Sequence, residues 1–335
     1  HFYKNQLKAT VASGDFKHVN YISGSYIAAG SAGSSSQYSS TNGESWSVMS
    51  DTPGGAPIAT VHSGTTTIVI YSTGQIYSGT LFSGGAWTLR ATSAALLEDI
   101  IWCGSPVNMF VAVGHAGTVY TSPLAGTTWT KRTISGITGK IGRVEFGDGK
   151  VVIISPEDQK LAYSTNGSTW TTIQADFVVN GVNTPPVSNG ICFHPTLNAF
   201  LLPSEAGMGV LSGVVLRRLY PRVYLGNYTY PKTAQFTNTP GQILVGAGGT
   251  EFYNSTDYGA SYQYIYKAST LSTTTDNVIG FIPYLGRYYI NYNNAPTTRL
   301  YQYSTDLVNW TSVTGTTTSF YPSNILATGD RIISI

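Results

Sequence analysis

The amino-acid sequence predicts an all-β fold that is built from tandem repeats. Four of the 6 tryptophans recur at nearly constant spacing, because Trp46, Trp87, Trp129 and Trp170 lie 41, 42 and 41 residues apart. The composition agrees, since 13% of the residues are aromatic, 37 are glycine and only 10% carry a charge. Such usage is typical of short strands joined by tight turns. A period of about 42 residues over most of the chain indicates a repeat architecture.

Each repeat is predicted to contain four short strands. The first two strands form a tight hairpin, the third leads into a recurring turn, and the fourth follows an aromatic residue. The hairpins consist of β-branched and aromatic runs that are bounded by turn residues. They are predicted at residues 18–22 with 25–29, 58–61 with 67–70, 99–102 with 109–113, 143–146 with 150–154, 191–193 with 199–202, 234–237 with 242–245, and 278–282 with 287–290.

The two ends of the sequence predict how the repeats are arranged. Residues 324–326 and 331–335 match the hairpin of an eighth repeat, while residues 3–11 match a fourth strand that has no hairpin before it. Pairing these segments removes two sheet edges that would otherwise be open to aggregation. We therefore expect a closed ring of four-stranded sheets, which is a β-propeller. A single propeller domain over residues 1–335 is expected to have eight blades, or seven if the last hairpin lies outside the ring.

A short turn recurs between the third and fourth strands of the repeats. Asn or Asp followed by Gly supplies the positive φ of a tight turn, and the aromatic residue after it is predicted to pack between blades. The pattern resembles the Asp-box, or bacterial neuraminidase repeat, in which Ser-x-Asp-x-Gly-x-x-Trp forms a hairpin turn. Residues 255–262 fit that pattern in register, with Tyr in place of Trp. We interpret the following turn and anchor residues as fold devices: Asn42, Gly43, Trp46, Trp87, Trp129, Asn166, Gly167, Trp170, Asp257, Gly259, Asp306 and Trp310.

The resemblance implies a sialidase-like hydrolase as one alternative, because Asp-box propellers include sialidases. This sequence departs from that family, since the usual Arg-Ile-Pro segment near the first blade is absent and no arginine precedes Trp46. Two acidic pairs, Glu98-Asp99 and Glu157-Asp158, could serve another glycosidase. Adjacent strand residues point to opposite faces, so neither pair alone forms a catalytic dyad, and we interpret both as exposed turn carboxylates. We therefore favour a protein without enzymatic activity.

Other chemistry is weakly represented in the sequence. The 5 histidines have no metal-ligand spacing and no cofactor motif occurs, so neither a metal nor a cofactor is expected. The net charge of +2 argues against nucleic acid or an anionic membrane as the main partner, and no apolar run is long enough to span a membrane. Cys103 and Cys192 are expected to be buried free thiols. The basic cluster at residues 217–224 could bind phosphate or an acidic glycan, or contact a neighbouring subunit, but we interpret it as part of an exposed outer strand over residues 214–225.

Candidate binding residues fall in the loops at one face of the predicted propeller. In propellers, the loops between blades share a face with the loops between the second and third strands, and that face commonly binds ligands. Here these loops are rich in Asn, Tyr, Gly and Ser, which suit recognition of sugars or protein surfaces. They are predicted at residues 30–36, 51–57, 155–159, 176–189, 203–208, 227–232 and 292–297. The candidate binding residues are Tyr292, Asn293, Asn294, Asn180, Asn183, Glu157 and Asp158.

The low charge and repeats such as Tyr-Ser-Thr-Asn-Gly-Ser-Thr-Trp-Thr are similar to those of propellers in phage tail and other virion proteins. This resemblance implies a non-enzymatic module, extracellular or virion-associated, that takes part in host attachment. Its expected partner is a host-surface glycan or a protein of a larger assembly. The alternative is a secreted glycan-active hydrolase of the sialidase type, or a lectin.

Overall fold

The computed structural model describes most of the chain, and the regular structure in that part is β-strand throughout. No helix among the described residues is long and apolar enough to cross a membrane. The described residues are 15–31, 37–49, 57–80, 87–174, 177–179, 182–184, 191–195, 197–204, 207–219, 231–236, 239, 241–247, 251–257, 263–267, 278–284, 286–292, 299–314, 325–328 and 331–334.

One compact unit, Ala9–Asp176, contains four antiparallel sheets in which four strands pair in chain order. Sheet 1 consists of β1 (Asp15–Ile22), β2 (Ser25–Ser31), β3 (Gln37–Ser40) and β4 (Ser47–Val48). Sheet 2 consists of β5 (Pro57–His62), β6 (Thr67–Tyr71), β7 (Gln75–Gly79) and β8 (Thr88–Thr92). Sheet 3 consists of β9 (Leu97–Cys103), β10 (Met109–Gly114), β11 (Val119–Pro123) and β12 (Thr130–Arg132). Sheet 4 consists of β13 (Arg143–Gly147), β14 (Lys150–Ser155), β15 (Lys160–Ser164) and β16 (Thr171–Gln174).

The described strands of Phe177–Ile335 belong to a second compact unit. It begins with a hairpin of β17 (Phe177–Val179) and β18 (Val182–Thr184). Three four-stranded sheets of the same chain-order topology follow. Sheet 5 consists of β19 (Cys192–His194), β20 (Ala199–Ser204), β21 (Gly207–Ser212) and β22 (Val215–Leu219). Sheet 6 consists of β23 (Pro231–Phe236), β24 (Ile243–Ala247), β25 (Glu251–Ser255) and β26 (Gln263–Lys267). Sheet 7 consists of β27 (Val278–Tyr284), β28 (Arg287–Tyr292), β29 (Arg299–Ser304) and β30 (Thr311–Thr314), and β31 (Ile325–Thr328) pairs with β32 (Arg331–Ser334).

The core of the first unit lies between neighbouring sheets, and the second strand of each sheet is its most buried element. Residues of β10 illustrate the arrangement, because alternate side chains of a strand point to opposite faces. Val111 lies in one buried cluster with Ile153 of sheet 4, whereas the adjacent Phe110 lies in another with Ile70 of sheet 2. Strands that are covered on both faces read as continuous apolar runs, which is why these segments are rich in Val and Ile.

The structure confirms the predicted hairpins and the four-stranded repeat. Each predicted hairpin coincides with a pair of antiparallel strands, including the pair β31 and β32 at the end of the chain. The segment predicted to complete the eighth repeat, residues 3–11, lies outside the described residues. The number of blades and the closure of a ring therefore stay predictions. Cys103 is a buried free thiol as expected, whereas Cys192, which was also expected to be buried, is only half-buried.

Two of the predicted loops are wrong. The loop predicted at residues 176–189 contains the hairpin of β17 and β18, because two Val-rich segments flank Asn180-Gly181, a dipeptide that favours a two-residue turn. The loop predicted at residues 203–208 is mostly strand, since β20 ends at Ser204 and β21 begins at Gly207. The outer strand predicted over residues 214–225 is confirmed at Val215–Leu219 as β22, and residues 220–225 lie outside the described residues.

Candidate functional site

The recurring turn between the third and fourth strands satisfies its own hydrogen-bonding groups. In sheet 1, Ser40 Oγ accepts bonds from the N–H groups of Asn42 at 3.3 Å and Gly43 at 2.8 Å. Asn42 Oδ1 accepts the backbone N–H groups two and three residues later, both at 2.9 Å. Trp46 Nε1 then donates to the carbonyl oxygen of Gly43 at 3.3 Å. The turn is thus held by its own polar side chains, as expected for an Asx-type turn.

Two further copies repeat this geometry. Asn166 Oδ1 accepts two backbone N–H groups at 2.9 Å, and Asp306 Oδ1 accepts two at 2.8 Å. The predicted positive φ is confirmed at Gly43 (67°) and Gly167 (69°), and Leu307 adopts the same conformation at 64°. The backbone and side-chain hydrogen bonds from residue 309 hold the pKa of the Asp306 carboxyl well below its ordinary value. Of the other turn residues, Asp257 is bonded to Ser255 Oγ at 2.8 Å, and Gly259 lies outside the described residues.

The aromatic anchors pack between neighbouring sheets, as predicted. Trp87 of sheet 2 packs against Ile27 of sheet 1. Trp129 packs against a cluster that sheets 2 and 3 form together, and Trp170 packs against a cluster of sheets 3 and 4. Each of these tryptophans therefore joins its own sheet to the sheet before it in the chain.

The glycines of the turns approach the preceding sheet closely. A Cβ atom on Gly126 would lie 2.6 Å from Cδ1 of Ile68 in sheet 2, and one on Gly167 would lie 2.7 Å from Sδ of Met109 in sheet 3. Real Cβ atoms do not come so close to a neighbour. Glycine is favoured at these turns by the positive φ, whereas the contacts are with the ends of flexible side chains that can shift.

At the opposite end of sheets 2 to 4, the loops are joined into a continuous surface. His115 N–H donates to Leu96 O at 2.9 Å, and Gly117 N–H donates to Gly139 O at 2.7 Å. Ile141 N–H donates back to a carbonyl oxygen at residue 114 at 3.0 Å. We refer to residues 93–98, 114–118, 134–141 and 156–160 together as the loop ridge. Loops that are bonded to one another in this way present their side chains in fixed positions.

The acidic pair Glu157 and Asp158, predicted as candidate binding residues, lies in the loop ridge and helps to build it. Asp158 Oδ2 accepts the backbone N–H groups of Thr138 and Gly139 at 2.8 and 2.7 Å. Glu157 Oε2 accepts the N–H of Lys140 at 2.8 Å. Partial burial raises the pKa of Asp158, but its hydrogen bonds, led by that from Gly139, outweigh burial and hold the pKa below its ordinary value. These carboxylates fix the loop before sheet 4 onto the turn between β14 and β15.

The interpretation of Glu98 and Asp99 as exposed turn carboxylates is wrong, because both belong to strand β9. Glu98 Oε1 contacts His115 Nε2 at 2.5 Å and Lys140 Nζ at 2.9 Å. Burial raises the pKa of Glu98, but the contacts with these two side chains outweigh burial and lower it. Asp99 Oδ2 instead accepts the N–H of Val144 in sheet 4 at 3.2 Å. The two carboxylates therefore point in different directions and do not form a dyad.

A third carboxylate near this region, Glu145, has a raised pKa. Glu145 lies in β13, and its Oε1 accepts the N–H of Phe146 at 3.1 Å. Burial, aided by the charge of Asp99, raises the pKa of Glu145 to about 7. Burial likewise raises the pKa of Asp99 above its ordinary value, against the opposing charge of Arg143. A carboxyl group whose pKa is raised by burial binds its proton more tightly in the folded state than in the unfolded state, so the free energy of unfolding depends on pH.

The remaining candidate binding residues lie in strands or outside the described residues. Tyr292 is the last residue of β28 and pairs with Val278, and Asn183 lies in β18 opposite Val178. Asn180, Asn293 and Asn294 lie outside the described residues. Within the described ranges, no group of three or more His, Cys, Asp or Glu residues could hold a metal ion.

The sequence-based prediction missed the centre of the loop ridge. Leu96 is one of the large apolar residues that are exposed in the described part of the chain, and its accessible fraction is 51%. The side chains of His115 and Lys140 in the same ridge are 39% and 35% accessible. Gly139 in Thr138-Gly139-Lys140 indicates a turn in the sequence. The sequence does not show that this turn contacts residues about 20 positions away, because that contact depends on how the sheets pack.

The architecture is shared with known β-propellers. The chain is similar to YCF48 from Cyanidioschyzon merolae, with a TM-score of 0.56 and 14% identity over 84% of this chain and 94% of that chain. A structure of YCF48 bound to D1 peptide gives a TM-score of 0.57 and 11% identity over 83% of this chain and 89% of that chain. For Sqt1 from Saccharomyces cerevisiae the TM-score is 0.66, with 11% identity over 93% of this chain and 87% of that chain.

These likenesses show the fold and nothing further, because the sequence identities are low. The protein is an all-β, propeller-type structure of four-stranded antiparallel sheets, as the repeats predicted. No protein-family model matches the chain, and no curated protein matches it in sequence.

Proposed function

We propose that the protein is a non-enzymatic recognition module that binds a partner protein at the loop ends of its sheets. The observation that carries this proposal is the loop ridge, where backbone hydrogen bonds such as Gly117 N–H to Gly139 O at 2.7 Å join loops of neighbouring sheets. A surface that is ordered before binding loses little conformational entropy when it binds. Rigid loops on a β scaffold are a common location for binding sites.

The same geometry disfavours hydrolysis by the acidic residues of the ridge. A general acid must exchange a proton with its substrate, and its pKa is usually raised for that purpose. Asp158 has a lowered pKa, since it accepts hydrogen bonds from backbone N–H groups and from the hydroxyl of Ser155 at 2.7 Å. Glu157 is similarly bonded to the N–H of Lys140. We therefore assign these carboxylates to the rigidity of the ridge and not to catalysis.

A protein partner is favoured over a sugar by the exposed groups of the ridge. Leu96 is exposed in the middle of the ridge, and apolar side chains of this kind contribute to protein interfaces. The structure of YCF48 bound to D1 peptide provides an analogy, because a propeller of similar architecture there holds a peptide. The analogy concerns the fold alone and gives no residue correspondence.

The biological setting is proposed from the sequence. The repeated turns resemble Asp-boxes. The low proportion of charged residues, 10%, is similar to that of propellers in phage tail proteins. We propose an extracellular or virion-associated protein in which residues 1–335 form one closed propeller of eight blades. In this setting the partner is a protein of the tail assembly or of the host surface. The sequence-based alternative is a host-surface glycan, with Tyr292 and its neighbouring asparagines among the contacts.

Selection of peptides from a display library against the full chain tests the proposal, with a glycan array run beside it and every glycan hit assayed for hydrolysis. Peptide binding should be lost when bulk and charge are introduced by Ala94→Arg with Leu96→Arg. It should persist in the turn-end control, Glu44→Ala with Ser168→Ala. Glycan hits with turnover would favour the hydrolase instead, and loss of peptide binding in the control alone would show that the turn ends are the binding surface.

A further inference from the structure

The face of sheet 1 that packs against sheet 2 contains a polar side chain at a core position. Gln37 begins β3, pairs with Ala29 of β2, and has an accessible fraction of 0%. Paired residues project to the same side of a sheet, and so do residues two positions apart in one strand. Ile27 packs against Trp87 of sheet 2. Ala29 and Gln37 therefore also project toward sheet 2.

The equivalent positions in sheets 3 and 4 are apolar. Gln37 lies three residues before the serine of its recurring turn, and Val119 and Leu161 lie three residues before the serines of theirs. Both of these aliphatic residues are fully buried. Each pairs with a residue larger than alanine, namely Val113 and Ile154. Sheet 1 thus places a carboxamide where the other two sheets place an aliphatic side chain, and its strand pair supplies less aliphatic volume around it.

The carboxamide of Gln37 is not satisfied by the protein itself. Among the described residues, neither Oε1 nor Nε2 of Gln37 has a hydrogen-bond partner, although both atoms are buried. The backbone carbonyl oxygen of the same residue accepts the N–H of Met49 at 3.0 Å. A carboxamide can donate two hydrogen bonds and accept two, and its burial without any of them is costly. Buried polar groups of this kind are normally bonded to protein or to ordered water.

Sheet 2 contributes a second polar group to the same interface. Thr60 of β5 is 1% accessible, and its Oγ1 has no hydrogen-bond partner in the described part of the chain. The adjacent Ala59 belongs to a buried cluster shared with sheet 3, so Thr60 projects to the opposite side, toward sheet 1. The hydrogen bond from Asn20 Nδ2 of β1 to Thr60 O, at 3.2 Å, agrees with this placement. The interface therefore contains unsatisfied polar groups from both sheets.

We propose that the interface between sheets 1 and 2 is a binding site for internal water, with water molecules bonded to the carboxamide of Gln37 and to the hydroxyl of Thr60. Water both donates and accepts, and one buried molecule makes about three hydrogen bonds to otherwise unsatisfied polar groups. Both side chains are uncharged, so an ion would lack a compensating charge there. Such a site lies in the interior and does not depend on the partner proposed for the loop ridge.

Magnetic relaxation dispersion of isotopically labelled water, measured on the full chain, counts the water molecules that stay bound for longer than the protein takes to tumble. Gln37→Leu should lose at least one of them, and Leu161 shows that the repeat can bury leucine at this position. Thr60→Val should reduce the count as well. Gln75→Leu is the matched control, because Gln75 Oε1 already accepts a bond from Thr73 Oγ1 at 2.7 Å, and it should leave the count unchanged.

A high-resolution crystal structure of the unmodified chain is a second test that does not require any variant to fold. It should show a water oxygen within about 3 Å of Oε1 or Nε2 of Gln37. A carboxamide that bonds only to protein groups would overturn the inference. An unchanged water count in Gln37→Leu would overturn it too, and a raised melting temperature in that variant would then indicate a carboxamide with no partner at all. Equal losses in Gln37→Leu and Gln75→Leu would also overturn it, by showing general loosening of the fold.

Discussion

Glu145 gives the most direct test of the interior electrostatics. Its pKa is raised from the ordinary value of 4.5 to about 7 by burial and by the charge of Asp99. The folded state therefore holds a proton on Glu145 more tightly than the unfolded chain does. Below pH 4.5 the carboxyl is neutral in both states, and above pH 7 it is ionised in both. The stability of the folded state thus decreases as the pH rises through this interval.

The magnitude follows from the size of the shift. A difference of about 2.5 pKa units at 1.36 kcal/mol per unit corresponds to about 3 kcal/mol of destabilisation when Glu145 is ionised. Glu145→Gln removes that charge, and its amide oxygen can still accept the bond from Phe146 N–H, which is 3.1 Å long. At pH 8 the variant should melt about 5 °C above the unmodified protein, from the unfolding entropy expected for a chain of this length. At pH 4.5 the two should melt together.

Differential scanning calorimetry between pH 4.5 and pH 8 measures this difference. The comparison between variant and unmodified protein isolates Glu145, because Asp99, whose pKa is also raised, and Glu98 and Asp158, whose pKa values are lowered, are present in both. Glu44→Gln, at an exposed turn, is the matched control and should shift neither curve. A gain in melting temperature that is the same at both pH values, or a loss at pH 8, would refute the assigned burial of the charge.

Three other changes test the turns and the predicted ring. Trp170→Ala should cost roughly 3–5 kcal/mol of unfolding free energy. Trp170→Phe should cost about 1 kcal/mol or less, because Nε1 of Trp170 has no hydrogen-bond partner to lose. Denaturant unfolding of both variants distinguishes the loss of packing from the loss of a polar contact. Asn166→Asp should preserve or raise the melting temperature, because Asp306 makes the same two backbone contacts, and a clear loss would contradict this equivalence. Deleting residues 1–12 should lower the melting temperature or cause aggregation, and an unchanged thermogram would contradict ring closure.

The repeat and its hairpins could be predicted because they depend on local chemistry. Asn-Gly at residues 42–43 indicates a turn with positive φ, and the structure has 67° at Gly43. Leu307 shows the limit of that rule, because it adopts 64° without being glycine. Its N–H is bonded to Ser304 Oγ at 2.8 Å, so side-chain capping of the turn substitutes for the intrinsic preference of glycine.

The loop ridge could not be predicted, since its contacts join residues that are distant in sequence. Asp158 was recognised as a loop carboxylate, but its partners at residues 138 and 139 lie on the loop before the same sheet. The predicted strand at residues 99–102 contained Asp99, but the interpretation of Asp99 as an exposed turn carboxylate is wrong, because it lies in β9 and is bonded to the N–H of Val144 in the next sheet. That bond only partly offsets burial, which raises the pKa of Asp99, and single-sequence reasoning does not register such partners.

The direction in which the tryptophans pack bears on how the chain is made. Trp87 and Trp129 reach sheets that precede their own in the sequence. During synthesis on a ribosome, each new sheet therefore finds its docking surface already translated and folded. Domains fold progressively from the amino terminus during synthesis. We therefore expect the sheets of Ala9–Asp176 to be added one at a time, with each tryptophan packing the newest sheet against the preceding one. An array built in this order gains each new sheet at the same end while it grows.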